Sequence, residues 1–419
     1  MRIRELTLVN YRAFANPPSF IFAERFTLIA GINGRGKTAM LNAIALLASR
    51  FLPLVSESHA SYGRIPPSEV YRDAAAAELA MKVNCAGIPL DYKLTYRKRD
   101  RKITATELPL AVREEVRNRY GDPTRSDDAA PLVVYYTTER SQYSLPRRLP
   151  KDVPQGQSAA YMGALSGGPV NFRDFMARYR NAVVMGDQER LADPNYLGDR
   201  AATAIATALN TFLGGFGNLR VQEAPLRLLV DKEDWPLDLS QLSDGERSFL
   251  AMVCDLGRRL ALANPMMENP LSGYGIVLID ELELHLHPTW QLEIVEKLRS
   301  TFPNIQFITT THSPFIVQTA REGELIKLDG ELAVEPAGRT LEEVARLVMD
   351  VTNTERSPRF VEMLNTARRY FQLVDEEDVA DDPARREQIQ NELISMLAPF
   401  TDNPAYIALL ERKGHIVEG

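Results

Sequence analysis

Two short stretches of this chain carry residues whose types and spacing could do chemistry together. The first is "GINGRGKT", residues 31 to 38, where Gly31, Gly36, Lys37 and Thr38 fit the pattern G-x-x-x-x-G-K-[S/T]. Glycines at this spacing let main-chain N–H groups converge on an anion, and the helix that follows adds the positive end of its dipole. Lys37 would reach the β- and γ-phosphates of a nucleotide, Thr38 would offer its hydroxyl to Mg²⁺, and Asn33, Gly34 and Ala39 complete the phosphate-lining set. The second stretch is "IVLIDELELHLHPTWQ", residues 276 to 291. Asp280 ends an apolar run and is placed to hold Mg²⁺ through its water shell. Glu281, next to it, is placed to orient and deprotonate a water that attacks the γ-phosphate. No N-K-x-D motif for reading guanine follows, which favours ATP over GTP.

These residues need elements to hold them. "FTLIA", residues 26 to 30, reads as a strand entering the glycine loop, and "AMLNAIALLASRF" reads as the helix leaving it. Four consecutive apolar residues, Ile276 to Ile279, predict a fully buried parallel strand with Asp280 at its carboxyl end, where open α/β sheets place ligands. "NIQFITT" predicts a further strand just before His312. "LSDGERSFLAMVCDLGRRLALA" opens with Ser243-x-x-Glu246, a capping box ahead of an amphipathic helix. Residues 51 to 150 mix short strand-like runs with turns, the strongest being "PLVVYYTTERSQ". From about 155 to 215 the pattern is helical, and "LRLLVDKEDWPLDLS" reads as two strands around a charged turn. The last 80 or so residues look helical around the acidic run "DEEDVADD". Alternating strands and helices at both ends predict an α/β fold on a mostly parallel sheet.

Composition narrows the class. With 45% hydrophobic and 25% charged residues, the chain reads as an ordinary soluble globular protein without an apolar run of membrane-spanning length. Cys85 and Cys254 offer neither a disulfide framework nor a zinc motif, which suits a reducing cytoplasm. A net charge of −7 leaves nucleic-acid contact to a local patch or a partner; "YRKRDRK", residues 96 to 102, is the one dense basic stretch and also reads as a solvated hairpin turn.

"LSDGE" looks like the LSGGQ signature of ABC-type ATPases. Taken with "GINGRGKT", "VLIDE" and the histidine of "ITTTHSPF", it resembles the RecF, SMC and OLD branch of that superfamily. The resemblance implies an ABC-type ATPase domain over 1–340, with lobe I at about 1–150, a helical insertion at about 151–218 and lobe II at about 219–340, then a helical region over 341–419. It implies a homodimer or higher oligomer with ATP sandwiched between subunits, so that Ser243 and Gly245 meet the γ-phosphate of the partner, and His312 serves as the switch histidine. Arg12 matches an N-terminal arginine that touches nucleotide phosphates, and Gln142 stands for the glutamine loop; Arg140 contacts nucleotide or pairs with an acid. Asp244 departs from the glycine usual at that place in transporters. "LSGGP" at 165 to 169 is closer in letters to the signature, yet it lacks the capping acid and reads as a turn entering a helix.

The nearest resemblance is to stand-alone antiphage-defence ATPases of the PtuA type, from Septu systems and some retrons. It implies a regulatory ATPase with a nuclease or other effector encoded separately, docked through the tail helix "RFVEMLNTARRYFQLV". A DNA-repair ATPase of RecF type is the alternative, and a transporter subunit is the least favoured. His285 and His287 beside the acids could suggest a transition-metal site. They alternate in an extended segment and run into Pro288, a natural first helical residue, so residues 282 to 287 read as a strand-to-helix loop, with Glu283, His285 and His287 marking where the other subunit sits.

Overall fold

The computed structural model describes residues 1–349 apart from 16–18, 64, 121–123, 126–129, 143–145, 147, 151–153, 155, 171, 193–199, 234 and 329–334, together with parts of 362–399. Two compact units divide the chain, Met1–Met349 and Asp350–Gly419. The acidic run at 375–382, parts of the proposed docking helix and the segment "DNPAYIALLERKG" lie outside the described residues. A helix over Pro383–Leu397 is described within the second unit.

Five parallel strands form the centre of the first unit, in the order β13 (Leu325–Lys327), β3 (Phe26–Ala30), β12 (Ile305–Thr310), β11 (Gly275–Ile279), β7 (Leu132–Tyr136). Every residue of β3, β7, β11 and β12 is buried, which is why they read as unbroken apolar runs rather than alternating ones. Parallel pairing puts all their carboxyl ends at one edge. The glycine loop, Asp280, His312 and the turn after β7 therefore emerge side by side.

Helix α1 (Lys37–Val55) follows the glycine loop and is buried along nearly its whole length. It is long and apolar enough to cross a bilayer, contrary to the expectation from sequence, but its side chains are packed into the core. An antiparallel sheet flanks this centre, ordered β2 (Ser19–Ile21), β1 (Arg2–Val9), β4 (Ala76–Cys85), β5 (Ile88–Arg97), β6 (Lys102–Ala105). Gln306, fully buried, ties the two sheets: its amide oxygen accepts from the Ile3 N–H at 2.8 Å, and its nitrogen donates to the Ile3 and Ala23 carbonyls at 2.8 and 2.9 Å. Without Gln306 those main-chain groups would be buried and unpaired.

Helix α2 (Leu110–Tyr120) interrupts a region read from sequence as strands and turns; its surface is mostly charged and only Val116 and Tyr120 are buried, so apolar periodicity gave little signal. The helices α3 (Ser158–Tyr161), α4 (Phe172–Ala192) and α5 (Arg200–Phe212) follow, and β8 (Phe216–Glu223) begins inside the span expected to be helical. With β9 (Leu226–Lys232) and β10 (Trp235–Asp238) it makes a three-stranded antiparallel sheet. Helix α6 (Asp244–Ala263) is tied to the central sheet by a buried cluster. There Asp255 accepts from the Tyr136 hydroxyl at 2.9 Å and from Arg258 and Arg259 at 2.7 Å each. Helices α7 (Pro288–Thr301), α8 (Pro314–Val317) and α9 (Leu341–Leu347) complete the first unit. Cys85 and Cys254 are both free thiols and buried.

Candidate functional site

The glycine loop is shaped for an anion. Gly31, Gly34 and Gly36 have φ of 150°, 82° and 101°, conformations that side chains with a Cβ rarely adopt, and nothing lies within 4 Å of where a Gly34 Cβ would stand. Helix α1 starts directly behind with no side-chain cap and no acid in its first turn, so its first N–H groups are left for a ligand. Lys37 is buried and folds back, donating to the Gly31 carbonyl at 2.6 Å and the Ile32 carbonyl at 3.1 Å. Asn33 is exposed on the loop, whereas the Ala39 side chain is turned into the core, leaving only its main chain to face a phosphate.

Thr38 and Asp280, which are 242 residues apart, meet at this edge. The Thr38 hydroxyl lies 3.1 and 3.0 Å from the two carboxylate oxygens of Asp280, and the Thr310 hydroxyl donates to the same carboxylate at 2.6 Å. A hydroxyl and a carboxylate at this separation, beside a phosphate cradle, are the donor set a hard divalent cation prefers. Glu281 has φ of 48°; its N–H donates to the Thr310 hydroxyl at 2.8 Å, and its carboxylate takes no hydrogen bond from the described residues. Arg140, 1% exposed, makes no ion pair with an acid among the described residues. Its guanidinium donates to the carbonyls of Asp280, Glu281 (2.6 Å) and Thr137 (3.1 Å). Gln142 is exposed at the end of the same turn.

The acids and histidines after the strand take separate places. Glu283 accepts from the Thr311 hydroxyl at 2.7 Å and from the main-chain N–H of His312, so its carboxylate holds the histidine loop of its own chain. His287 caps α7, its ring nitrogen 3.4 Å from the Thr289 N–H, and Pro288 opens the helix. Glu283 and His287 thus each have a bond within the chain, and His285 and His287 are both exposed. Among the described residues no three His, Cys, Asp or Glu side chains are grouped to hold a metal.

Ser243 caps α6 as the sequence predicts. Its hydroxyl accepts from the Glu246 N–H at 3.3 Å, and Glu246 accepts from the Ser243 N–H at 3.1 Å and from Lys232 at 2.6 Å. Burial opposes ionisation of Glu246, yet the bonds from Lys232 and Ser243 prevail and hold its carboxyl below the usual range. Gly245 is buried: a Cβ there would stand 2.5 Å from the His285 carbonyl oxygen, so the signature turn is seated on the loop that follows the acidic strand. Arg12 is not a solvated strand residue. It pairs with Glu69 and reaches Asn42 of α1, whose amide accepts from Arg12 at 3.1 Å and donates to the Tyr62 and Tyr135 hydroxyls at 2.8 Å. "LSGGP" forms a turn beside the end of β7, where Thr137 donates to the Gly167 carbonyl, and α4 follows it.

Phosphate loop, acidic strand and strand-end histidine emerge at one edge of the parallel sheet, with the capped signature turn seated on the loop after the acidic strand, an arrangement that fits the ABC-type ATPases the sequence resembles. The chain belongs to the family described as AAA domain, putative AbiEii toxin, Type IV TA system, whose model matches residues 95–318, more than half its length. The glycine loop lies before the matched residues and rests on its own geometry. Across 89% of the chain there is 27% identity to the Retron Vc95 probable ATPase of Vibrio cholerae serotype O1 biovar El Tor, 84% of which is covered. The Retron Ec83 probable ATPase of Escherichia coli is 39% identical over 48% of this chain, and the Septu protein PtuA of Bacillus mycoides (strain KBAB4) is 41% identical over 22%. These matches span 37% and 12% of those two proteins.

Sequence reasoning missed Arg140's main-chain contacts, the Thr310 bridge and the in-chain use of Glu283. The run "TTTH" before Ser313 was the available signal for Thr310, since consecutive buried threonines at a strand end must find polar partners.

Proposed function

We propose that this protein is a nucleotide-dependent dimeric switch that binds and hydrolyses ATP, and that it regulates an antiphage effector, a nuclease or toxin encoded separately. The observation that carries the ATPase reading is the Thr38–Asp280 contact, with the Glu281 carboxylate beside it bonded to none of the described residues. Main-chain N–H groups of residues 33–38 and the start of α1 bind the phosphates, and Lys37 exchanges the Gly31 and Ile32 carbonyls for phosphate oxygens. Thr38 and Asp280 hold Mg²⁺, which when bound neutralises charge on the phosphate oxygens. Glu281 takes the proton of the attacking water, and His312, fixed through its main chain by Glu283, faces the γ-phosphate. Ser243 completes the site of a second copy. The defence role rests on the retron and Septu relatives, and the effector would be a separate protein.

Glu281→Gln is expected to lower ATP turnover roughly a hundredfold or more while ATP-bound dimer accumulates in light scattering after size exclusion. Turnover at the normal rate would remove Glu281 as the base. Deleting residues 357 to 419 is expected to abolish co-purification with the effector, and retained binding would refute docking through the tail.

A second reading, a RecF-like ATPase that binds DNA itself, is favoured by one observation: Arg97, Lys98, Arg99, Arg101 and Lys102 are all exposed on the turn between β5 and β6. Salt-sensitive DNA binding by the purified protein, lost when those charges are reversed, would promote it.

A further inference from the structure

Nothing in the ATPase reading uses Arg140, although burying a guanidinium is costly unless its donors find acceptors. Elsewhere in the molecule the buried Arg258 and Arg259 both bond a carboxylate, that of Asp255, and Arg259 also donates to the Ala160 and Met162 carbonyls. Arg140 has Asp280, Glu283 and Glu281 close enough to influence its charge, yet it donates to peptide carbonyls instead. All three carboxylates are thereby left for other partners. Asp280 meets Thr38 and Thr310, Glu283 meets Thr311 and His312, and the Glu281 carboxylate takes no bond from the described residues.

Those bonds fall on the one strained residue of the acidic pair. A φ of 48° at Glu281 is in the left-handed region that a residue with a long side chain seldom occupies, so surrounding contacts must hold it there. Its N–H is held by the Thr310 hydroxyl and its carbonyl by Arg140, which also grips the carbonyl one residue earlier. Burial lowers the Arg140 pKa to about 10 against the opposing pull of Asp280, Glu283 and Glu281, so the guanidinium remains charged at neutral pH. A charged, planar fork spans two successive carbonyls, which a lysine ammonium does not do.

We propose that Arg140 is a positioning residue for ATP hydrolysis: by clamping the carbonyls of Asp280 and Glu281 it keeps the Glu281 main chain left-handed and its carboxylate turned to the γ-phosphate site. The proposal rests on Glu281 being the base. It deepens that reading by placing the control of the base on the turn after β7, outside the acidic strand.

The test uses the full-length protein with Arg140→Met and Arg140→Lys, measuring kcat, KM, ATP affinity by equilibrium titration and melting temperature. Misplacing a catalytic group by about an ångström costs roughly a hundredfold in rate, so Arg140→Met is expected to lose kcat on that scale while ATP affinity stays within about threefold. Arg140→Lys keeps the charge but not the fork, and a loss of roughly tenfold is expected. In a Glu281→Gln background, Arg140→Met is expected to lower the remaining turnover by less than about threefold, because the group it positions is already gone. Turnover unchanged in both variants, losses that multiply with Glu281→Gln, or an equal fall in ATP affinity would each overturn the proposal. Should Arg140→Met fail to fold, Arg140→Lys carries the same four measurements. Undiminished turnover in Glu281→Gln alone would instead bring down the assignment of the base, so the two failures are distinguishable.

Discussion

At the phosphate loop, groups from four strand ends are joined within one chain: Thr38 after β3, Asp280 after β11, Thr310 on β12 and, through the two carbonyls, Arg140 after β7. At the start of α6 the arrangement is different. Ser243 and Glu246 bond one another, Ser243 and Asp244 are exposed, and the turn meets the acidic-strand loop where Gly245 lies on the His285 carbonyl. The first region gathers its groups into one cradle, whereas the second is a stiffened, exposed surface which, on the proposed dimer reading, serves a second copy. The contrast teaches that one chain can carry both motifs without joining them, because the strand ends fix the first and an exposed helix start fixes the second.

The experiment with the largest expected effect tests that separation directly. Lys37→Ala removes the phosphate half and Ser243→Arg removes the signature half, so each protein alone is expected to be inactive. When the two are mixed, random pairing leaves one intact site in half the dimers, which restores about a quarter of wild-type turnover. Mixed proteins that stay inactive would place both halves in one chain's site and break the comparison. Next in size is Gly245→Ala. A methyl group 2.5 Å from the His285 oxygen must displace main chain, and overpacking of this kind costs about 1–3 kcal/mol, read as a lower melting temperature. An unchanged melting temperature would show that the turn is not seated there.

Ser243→Ala has a smaller effect on folding, a loss of about 1 kcal/mol from the missing cap, measured by chemical denaturation. Its effect on turnover is expected to appear only where dimers form, so ATP binding at low protein concentration should match the wild type. The smallest effect concerns pH. Because the folded-state pKa of Glu246 lies below the ordinary value of 4.5, ionised Glu246 stabilises the cap above that pH, and this contribution is lost as pH falls through the lower folded value. Lys232→Met is expected to flatten that acid-side loss in a stability profile; an unaltered profile would remove Lys232 as a cause.

Much of the site was legible because its residues sit in local patterns. The glycine spacing of 31–38, the four apolar residues before Asp280, the capping box of Ser243 and Glu246, and Pro288 as the opening of α7 each follow from short-range geometry. Helix α2 was not legible, because a helix that buries only Val116 and Tyr120 shows no apolar stripe. In "ELELHLH" the strand-to-helix loop was legible, but the extended alternation read for it was not what forms. Residues 281 to 287 turn twice, with Leu282 and Leu286 inward, and only the neighbouring strand β12 determines that Glu283 finds Thr311 and His312.

The sequence by itself determined which residues are candidates for the chemistry and that strand ends must carry them, since a parallel sheet collects its carboxyl ends at one edge. The tertiary structure alone decided how those residues are held. Strand order placed β11 between β12 and β7, and with that order Thr310 came to one side of Asp280 and Glu281 and Arg140 to the other. Order within a sheet is a property of packing between distant segments, and no local pattern of residues records it.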